Sequence, residues 1–271
     1  HGYTHQVLVR LKQTDHGILR NGIWAYTNER LCKDDLITVQ IVENECSDNI
    51  APVNLPLDIA YEDDDIIVIN KPFDMPAHPS AGNHDNTLAN ALMYYYGSQN
   101  KPFVYRCINR LDRDTTGLTI VAKHALAGGI LGNAVAKRAI HRTYYAVCSG
   151  CTPICMRISA PIARKDASTI ERCVDFKHGE YAVTDFIRIK YNPDNNLSLV
   201  KLRLLTGRTH QIRVHMKYIG FPLIGDFLYN PDYTYISRQA LHSGRLVFTH
   251  PVTGQKMNLI SDIPSDMKSL F

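Results

Sequence analysis

Apolar positions along this chain fall mostly in short blocks and alternations, with fewer stretches at helical spacing. Asp65-Ile-Ile-Val-Ile-Asn70 is a short apolar strand that runs into Lys71-Pro72, where proline, lacking a backbone N–H, ends it. Leu118 to Ala122 reads as a strand, as do Arg142 to Cys148, Ala182 to Lys190 and Leu197 to Leu205. In the last of these Ser198, Val200, Leu202 and Leu204 share one face, and Lys201 and Arg203 the other. Helical spacing appears in three places. Thr87 is a good N-cap for a helix carrying Leu88, Ala91, Leu92 and Tyr95. His124 to Lys137 has helical periodicity weakened by Gly128, Gly129 and Gly132. Thr209 is placed to cap a helix carrying Ile212, Met216 and Ile219, which Gly220 stops. Several strands follow one another without intervening helices, which predicts an α+β fold with a mixed, mostly antiparallel sheet.

The chain divides unevenly. Residues 1–45 form a small β-rich segment, with Asp35 to Val42 strand-like and Asn21-Gly22 a turn signal. Residues 46–56 hold Ser47, Asp48, Asn49, Asn54 and two prolines, and read as a linker. Residues 57–271 form the main domain. No apolar stretch approaches the roughly 20 residues of a membrane span. Seven cysteines are an odd number and too few for a disulfide scaffold, so free thiols and a cytoplasmic location are expected. Cys148, Cys151 and Cys155 lack a fourth ligand at a recognisable spacing, so they read as thiols buried or at strand ends, not as a metal site. The net charge of +4 conceals a division: residues 1–100 carry −8 and residues 101–271 carry +12. A basic excess of that size suits a polyanion, although charge alone reads equally as a solvated basic face.

Two polar clusters carry the chemistry. The first is Asn109-Arg-Leu-Asp-Arg-Asp-Thr-Thr-Gly117, just ahead of an apolar strand; on an extended backbone Arg110 and Asp112 share a face. The second is Leu205-Thr-Gly-Arg-Thr-His-Gln-Ile-Arg-Val-His215, where a strand passes into a helix. Singly, the first reads as an Asp/Thr-rich turn and the second as a capped helix with a basic side. Together, with Tyr61 to Pro72, Arg142-Thr-Tyr-Tyr-Ala146, Gly225-Asp226, Leu241-His-Ser243 and His250-Pro251 in this order, they resemble the RluA-type pseudouridine synthases, which isomerise uridine in RNA. The resemblance covers about residues 57–266.

That resemblance implies a base-flipping enzyme without cofactor or metal, acting as a monomer on a stem-loop of ribosomal or transfer RNA. It implies Asp112 as the essential carboxylate and Arg213 as its cationic partner. Tyr144 is to pack against the target base, and Arg110 to fill the place the base leaves. Lys71, Arg113, Arg142 and Arg208 are further RNA contacts, and Lys137 and Arg138 suit phosphates. Tyr145, on the other strand face, is structural. The chain departs from the family at Asn109, usually His, and at Gly179-Glu180, often Gly-Lys. Gly17 to Val42 looks like the tail of an S4-type RNA-binding domain without its basic helix pair, open to truncation because the chain begins at His1 and not Met. Two other classes compete: an idle RNA-binding protein on the same fold, and a glycosidase using Asp112 and Asp114. Retention of Asp112, Tyr144 and Arg213 weighs against the first; the single Trp24, outside the main domain, gives the second no sugar platform.

Overall fold

The computed structural model describes residues 5–26, 28–41, 43–80, 82–165 and 170–271. The N-terminal unit contains α1 (His5–Gln13), β1 (Ile18–Arg20), β2 (Ile23–Trp24) and β3 (Ile37–Val39). The remainder begins with β4 (Ile59–Glu62), β5 (Ile66–Lys71), α2 (Leu88–Gly97), β6 (Arg106–Cys107), β7 (Thr116–Ala122), α3 (Ala125–Ala136) and β8 (His141–Ser149). It continues through β9 (Cys155–Ser159), β10 (Ile162–Arg164), β11 (Arg172–Val174), β12 (Val183–Asn192) and β13 (Leu197–Leu204). It closes with α4 (Gln211–Tyr218), β14 (Leu241–Thr249), β15 (Lys256–Ile260) and α5 (Ser265–Lys268). No helix among the described residues is long and apolar enough to cross a membrane.

One large sheet runs in the order β4-β5-β7-β14-β8-β13-β12-β9, with β15 paired to β14 and β6 to β7. Its pairs are antiparallel except β7 with β14, so the sheet is mixed and mostly antiparallel, as the sequence predicts. The continuous apolar run in β5 is explained by cover on both faces. Ile66 and Val68 pack with Ala127 and Leu131 of α3, while Ile67 and Ile69 pack with Leu88, Ala89 and Leu92 of α2. Thr87 caps α2 as expected, its hydroxyl accepting from the Asn90 N–H. A third cluster joins Ile212 and Met216 of α4 to Tyr144, Ala146, Phe186, Val200 and Leu202, which seats α4 on β8, β12 and β13.

Two features of the N-terminal third are less separable than the composition suggests. A helix, α1, precedes the three-stranded sheet β2-β1-β3, and its Val7 and Leu11 pack against Leu126 of α3. Asn21-Gly22 does turn the chain between β1 and β2, both residues at positive φ; Val42, at the end of the strand expectation, lies outside the described residues. Residues 46–56 are strapped to the main domain. Val53 N–H donates to Asn90 O at 3.2 Å, Asn90 Nδ2 to Ala51 O at 2.7 Å, and Ile50 and Leu55 join the α2 cluster.

Two residues hold the sheet's centre to the loop ahead of β7. Gly117, at φ +105°, lies against β14 so closely that a Cβ would stand 2.3 Å from Ser243 O. Lys71 is 1% exposed, and its Nζ donates to Pro72 O at 2.6 Å and Arg113 O at 2.9 Å. Lys71 is therefore a correction to the expected RNA contacts: strand β5 delivers it inward, where it clamps backbone, away from solvent. Burial lowers its ammonium to about 7, against the pull of Asp114 and Asp112.

Gly117→Ala should cost about 2–3 kcal/mol in urea unfolding, since the left-handed backbone and the β14 carbonyl both oppose a side chain. An unchanged midpoint would show that β7 and β14 can part without cost. For Lys71, the unfolded chain holds between pH 7 and 10 a proton that the folded chain has released. Stability should then climb with pH by up to about 1.4 kcal/mol per unit across that window. Lys71→Met should abolish that climb, and parallel pH–stability curves for the two proteins would refute the assignment.

Candidate active site

Asp112 stands on a loop pinned at both ends. On the upstream side the buried Asn109 side chain accepts from Ile120 N–H at 2.8 Å and donates to Leu118 O at 3.3 Å. The hydroxyl of Thr119 donates to Asn109 O at 2.7 Å. The amide thus does a local, structural task at the position where the family usually has His. Downstream, Thr115 N–H closes a turn on Asp112 O at 3.1 Å, and Gln239 Nε2 donates to Thr115 Oγ1 at 2.6 Å. With Lys71 held to Arg113 O, the loop has little freedom, and the carboxylate is aimed by backbone.

Its partner arrives on α4. Thr209 does not cap this helix. His210 occupies the N-cap position in a left-handed conformation at φ 56°, without a side-chain capping bond. Gln211 fastens the first turn instead: its Oε1 accepts from Thr206 Oγ1 and Arg208 N–H, and its Nε2 donates to Val183 O and Thr184 Oγ1. His215 bridges Thr184 Oγ1 and Ala160 O one turn later. So placed, Arg213 is 1% exposed and shared by two carboxylates. Nη1 donates to Asp112 Oδ2 at 2.9 Å, while Nε and Nη2 grip Asp226 at 2.7 and 2.8 Å. The fork geometry of a guanidinium suits this double task, which a lysine could not perform. The central carbon of the Arg213 guanidinium lies over the rings of Phe227 and Tyr229, 5.4 and 5.0 Å from their centroids.

The electrostatics follow from burial and these partners. Burial pushes the Asp112 carboxyl up, but His210 when charged, then Arg213 and Arg110, pull it below the usual carboxylate value. His210 is itself held below its ordinary value, chiefly by burial. At neutral pH the imidazole is therefore uncharged, and Arg213 is the cation that keeps Asp112 ionised. His210 lies 3.8 Å from Asp112 Oδ2 through Nε2, and its Nδ1 is 3.0 Å from the Tyr229 hydroxyl. Burial raises that phenol to about 12, so it keeps its proton, and its oxygen already accepts from Arg172 N–H at 2.9 Å. The Tyr229 hydroxyl thus ties His210 Nδ1 to the Arg172 backbone and leaves Nε2 as the ring nitrogen nearer Asp112.

The cleft around Asp112 is small, about 80 Å³, and is walled by Arg110, Tyr144, Arg142, Arg208, His210 and Arg213. Tyr144 is 4% exposed on β8, opposite Leu202 and Ser243. Its hydroxyl bonds to nothing among the described residues. Tyr145 points to the other face and packs beneath Gly244. Arg110 is exposed at the mouth, its Nη2 3.4 Å from Thr209 Oγ1. Arg208 pairs with Glu180, the residue that departs from the family pattern. Arg113 lies outside the cleft walls, bonded to Asp114 and stacked 5.6 Å from the Phe227 centroid. Asp114, so engaged and 8% exposed, makes no carboxylate pair with Asp112 across the cleft, and the glycosidase reading loses its second acid.

Two residues inside the quoted motifs had no role assigned from sequence. Asp226 gains its role from its two bonds to Arg213, and His210 from its approach to Asp112 across 98 positions of chain. Metal ligation finds no support in the donor chemistry. Asp63, Asp65 and His250 are close enough together to hold an ion. Nδ1 of His250, however, accepts from Val252 and Thr253 N–H, so its Nε2 carries the proton and donates to Asp63 at 2.9 Å. The cluster is a hydrogen-bonded clamp between the β4–β5 turn and the turn after β14. Of the three spaced thiols, Cys148 is buried in β8 while Cys151 and Cys155 are exposed.

Comparison with known proteins agrees with this geometry. The family model described as RNA pseudouridylate synthase matches residues 65–218. The chain is 38% identical over 271 residues to the uncharacterized RNA pseudouridine synthase YjbO of Bacillus subtilis, covering all of this chain and 95% of that one. It is 41% identical over 245 residues to ribosomal large subunit pseudouridine synthase D of Haemophilus influenzae, covering 85% of this chain and 75% of that relative. Among solved structures, human RNA pseudouridylate synthase domain containing 1 superposes with a TM-score of 0.64 at 26% identity, over 76% of this chain and 83% of its own. A carboxylate held ionised by a buried arginine, inside a fold and a sequence shared with these enzymes, places the chain in the RNA pseudouridine synthase family: it is an isomerase that acts on uridine in RNA.

Proposed function

We propose that this enzyme isomerises a uridine of ribosomal RNA, with Asp112 as nucleophile. The observation that carries the proposal is the Asp112–Arg213–Asp226 arrangement, which keeps one carboxylate charged and fixed where water is scarce. The ribosomal substrate is supported by the relatives named for the large ribosomal subunit.

Isomerisation breaks the bond from N1 to C1′, forms one from C5 to C1′, and moves a proton from C5 to N1. The uridine leaves its stack to reach the cleft, and Arg110 at the mouth fills the space behind it. Asp112, kept ionised by Arg213 until it reacts, attacks C1′ and releases uracil or adds to the base, and the bond it forms breaks again as C5 joins C1′. The ring of Tyr144 lies flat against uracil, and its free hydroxyl is available for proton transfer. Arg142 and Arg208 engage phosphates; for Arg208 this means exchanging Glu180 for RNA. The working unit in this reading is a monomer, and the substrate supports a cytoplasmic location. No step requires a metal or a cofactor. The separate three-stranded sheet supports reading residues 1–45 as a small S4-like unit and 57–271 as the catalytic domain. Chemical mapping of pseudouridines in ribosomal RNA, from cells with and without the protein, tests the substrate; an unchanged map would refute it.

Asp112→Asn should abolish isomerisation while leaving fold and RNA binding largely intact, because asparagine keeps the shape but is a poor nucleophile. Turnover above a few per cent of wild type in a uridine-isomerisation assay would sink the nucleophile role. Arg110→Ala should be far more damaging on a folded stem-loop than on RNA already unpaired at the target, since filling the gap offsets part of the few kcal/mol of unstacking. Single-turnover rates on the two substrates decide this, and equal impairment would move Arg110 to the chemical step or the fold.

A further inference from the structure

The cleft is open at one side. Toward α3 its wall continues into a second groove lined by Arg110, Arg138, His141, Arg142, Arg203 and Arg208 over a floor that includes Ile108 and Ile140. Arg110, Arg142 and Arg208 belong to both depressions, so the groove and the cleft are one continuous surface. No carboxylate lines this groove among the described residues.

The state of the arginines distinguishes this surface from an ordinary solvated face. Arg113, which the sequence marks as an RNA contact, is already ion-paired with Asp114, and Arg208 with Glu180. Arg138 and Arg142 enter no ion pair among the described residues. Arg203 sits opposite Asp185 in the β12–β13 register, but Asp185 is gripped by both arms of Arg157 at 2.7 and 2.8 Å. Arg138, Arg142 and Arg203, none of them committed to a partner, therefore lie together on the α3 side of Asp112. Arg138 is also placed at a cost. It follows the end of α3 at φ 58°, a left-handed position that favours glycine, yet the chain has a long cation there. Concave walls of one sign concentrate the field between them.

We propose that this groove holds the sugar–phosphate backbone of the RNA strand flanking the flipped uridine, with Arg138, Arg142 and Arg203 each neutralising a phosphate. The RNA thus leaves the cleft along the C-terminal end of α3. The proposal rests on the RNA isomerase reading and adds to it a direction and a site. Backbone contacts of this kind position the substrate without reading its bases.

The test is the salt dependence of binding to a fluorescently labelled stem-loop of about 20 nucleotides with uridines in its loop, between about 50 and 200 mM KCl. For Arg138→Gln with Arg203→Gln, the slope of log Kd against log salt should fall by about 1.4–1.8, and affinity at about 150 mM should drop roughly 20-fold. The charge-retaining pair Arg138→Lys with Arg203→Lys should keep most of the slope, which separates lost charge from lost fold. Lys101→Gln with Lys256→Gln, equal in charge but remote from the groove, should leave it unaltered. A steep wild-type titration with an unaltered glutamine double variant would overturn the groove alone, as would an equal loss in the remote control. A flat wild-type titration would overturn the RNA-binding reading beneath it as well.

Discussion

The site depends on one guanidinium held between two carboxylates. Arg213 is 1% exposed, and a charge so buried is tolerable only with close partners. Asp226 supplies two of its bonds and Asp112 one, so the group of three carries a net charge of −1 that rests on the half-buried member, Asp112. Asp226 is 0% exposed and also accepts from Leu228 and Tyr229 N–H. It is the anchor, which leaves Asp112 as the carboxylate with an open side. Division of labour between the two acids thus comes from burial and bond count, not from residue type.

Holding those three residues in register is a matter of the sheet. The loop bearing Asp112 leads into β7, Tyr144 lies on β8, and β14 joins them, parallel to one and antiparallel to the other. Gly117 permits the close approach of β7 and β14, and His242 bonds Thr116 at 2.9 Å across the same seam. Gln211 and His215 tie α4 to β12, so the arginine approaches from a helix that has no freedom to roll. The residues most buried around the site are those that aim others.

Charge is distributed with the same economy. The basic excess of residues 101–271 is not uniformly available: part is consumed in pairs with Asp114, Asp185 and Glu180, while Arg138, Arg142 and Arg203 line the depression beside the cleft. A polyanion meets selected cations, and exposed pairs such as Arg208–Glu180 are weak enough to be exchanged.

Much of this was legible in the chain itself. Alternation in Leu197–Leu204 and the unbroken apolar run of β5 encode local periodicity, and the two polar blocks are strings whose order is preserved in any fold. The periodicity carried the sheet and the helices at Thr87 and after His124, while Asp112, Tyr144 and Arg213 came from the resemblance of the ordered blocks to a known family. What no local pattern encodes is where a side chain ends up relative to distant backbone. Lys71 reads as a free cation beside a proline, yet its strand delivers it to carbonyls of Pro72 and Arg113. Thr209 reads as a cap, yet the chain turns left-handed at His210 to bring that imidazole toward Asp112. The segment 46–56 reads as a linker because it is polar and proline-rich, yet its backbone groups meet Asn90 and Phe103. Residue type and order determined the chemistry this protein has available. Tertiary structure alone decided which charges are spent on one another and which stay open to RNA, because that depends on contacts between positions about a hundred residues apart.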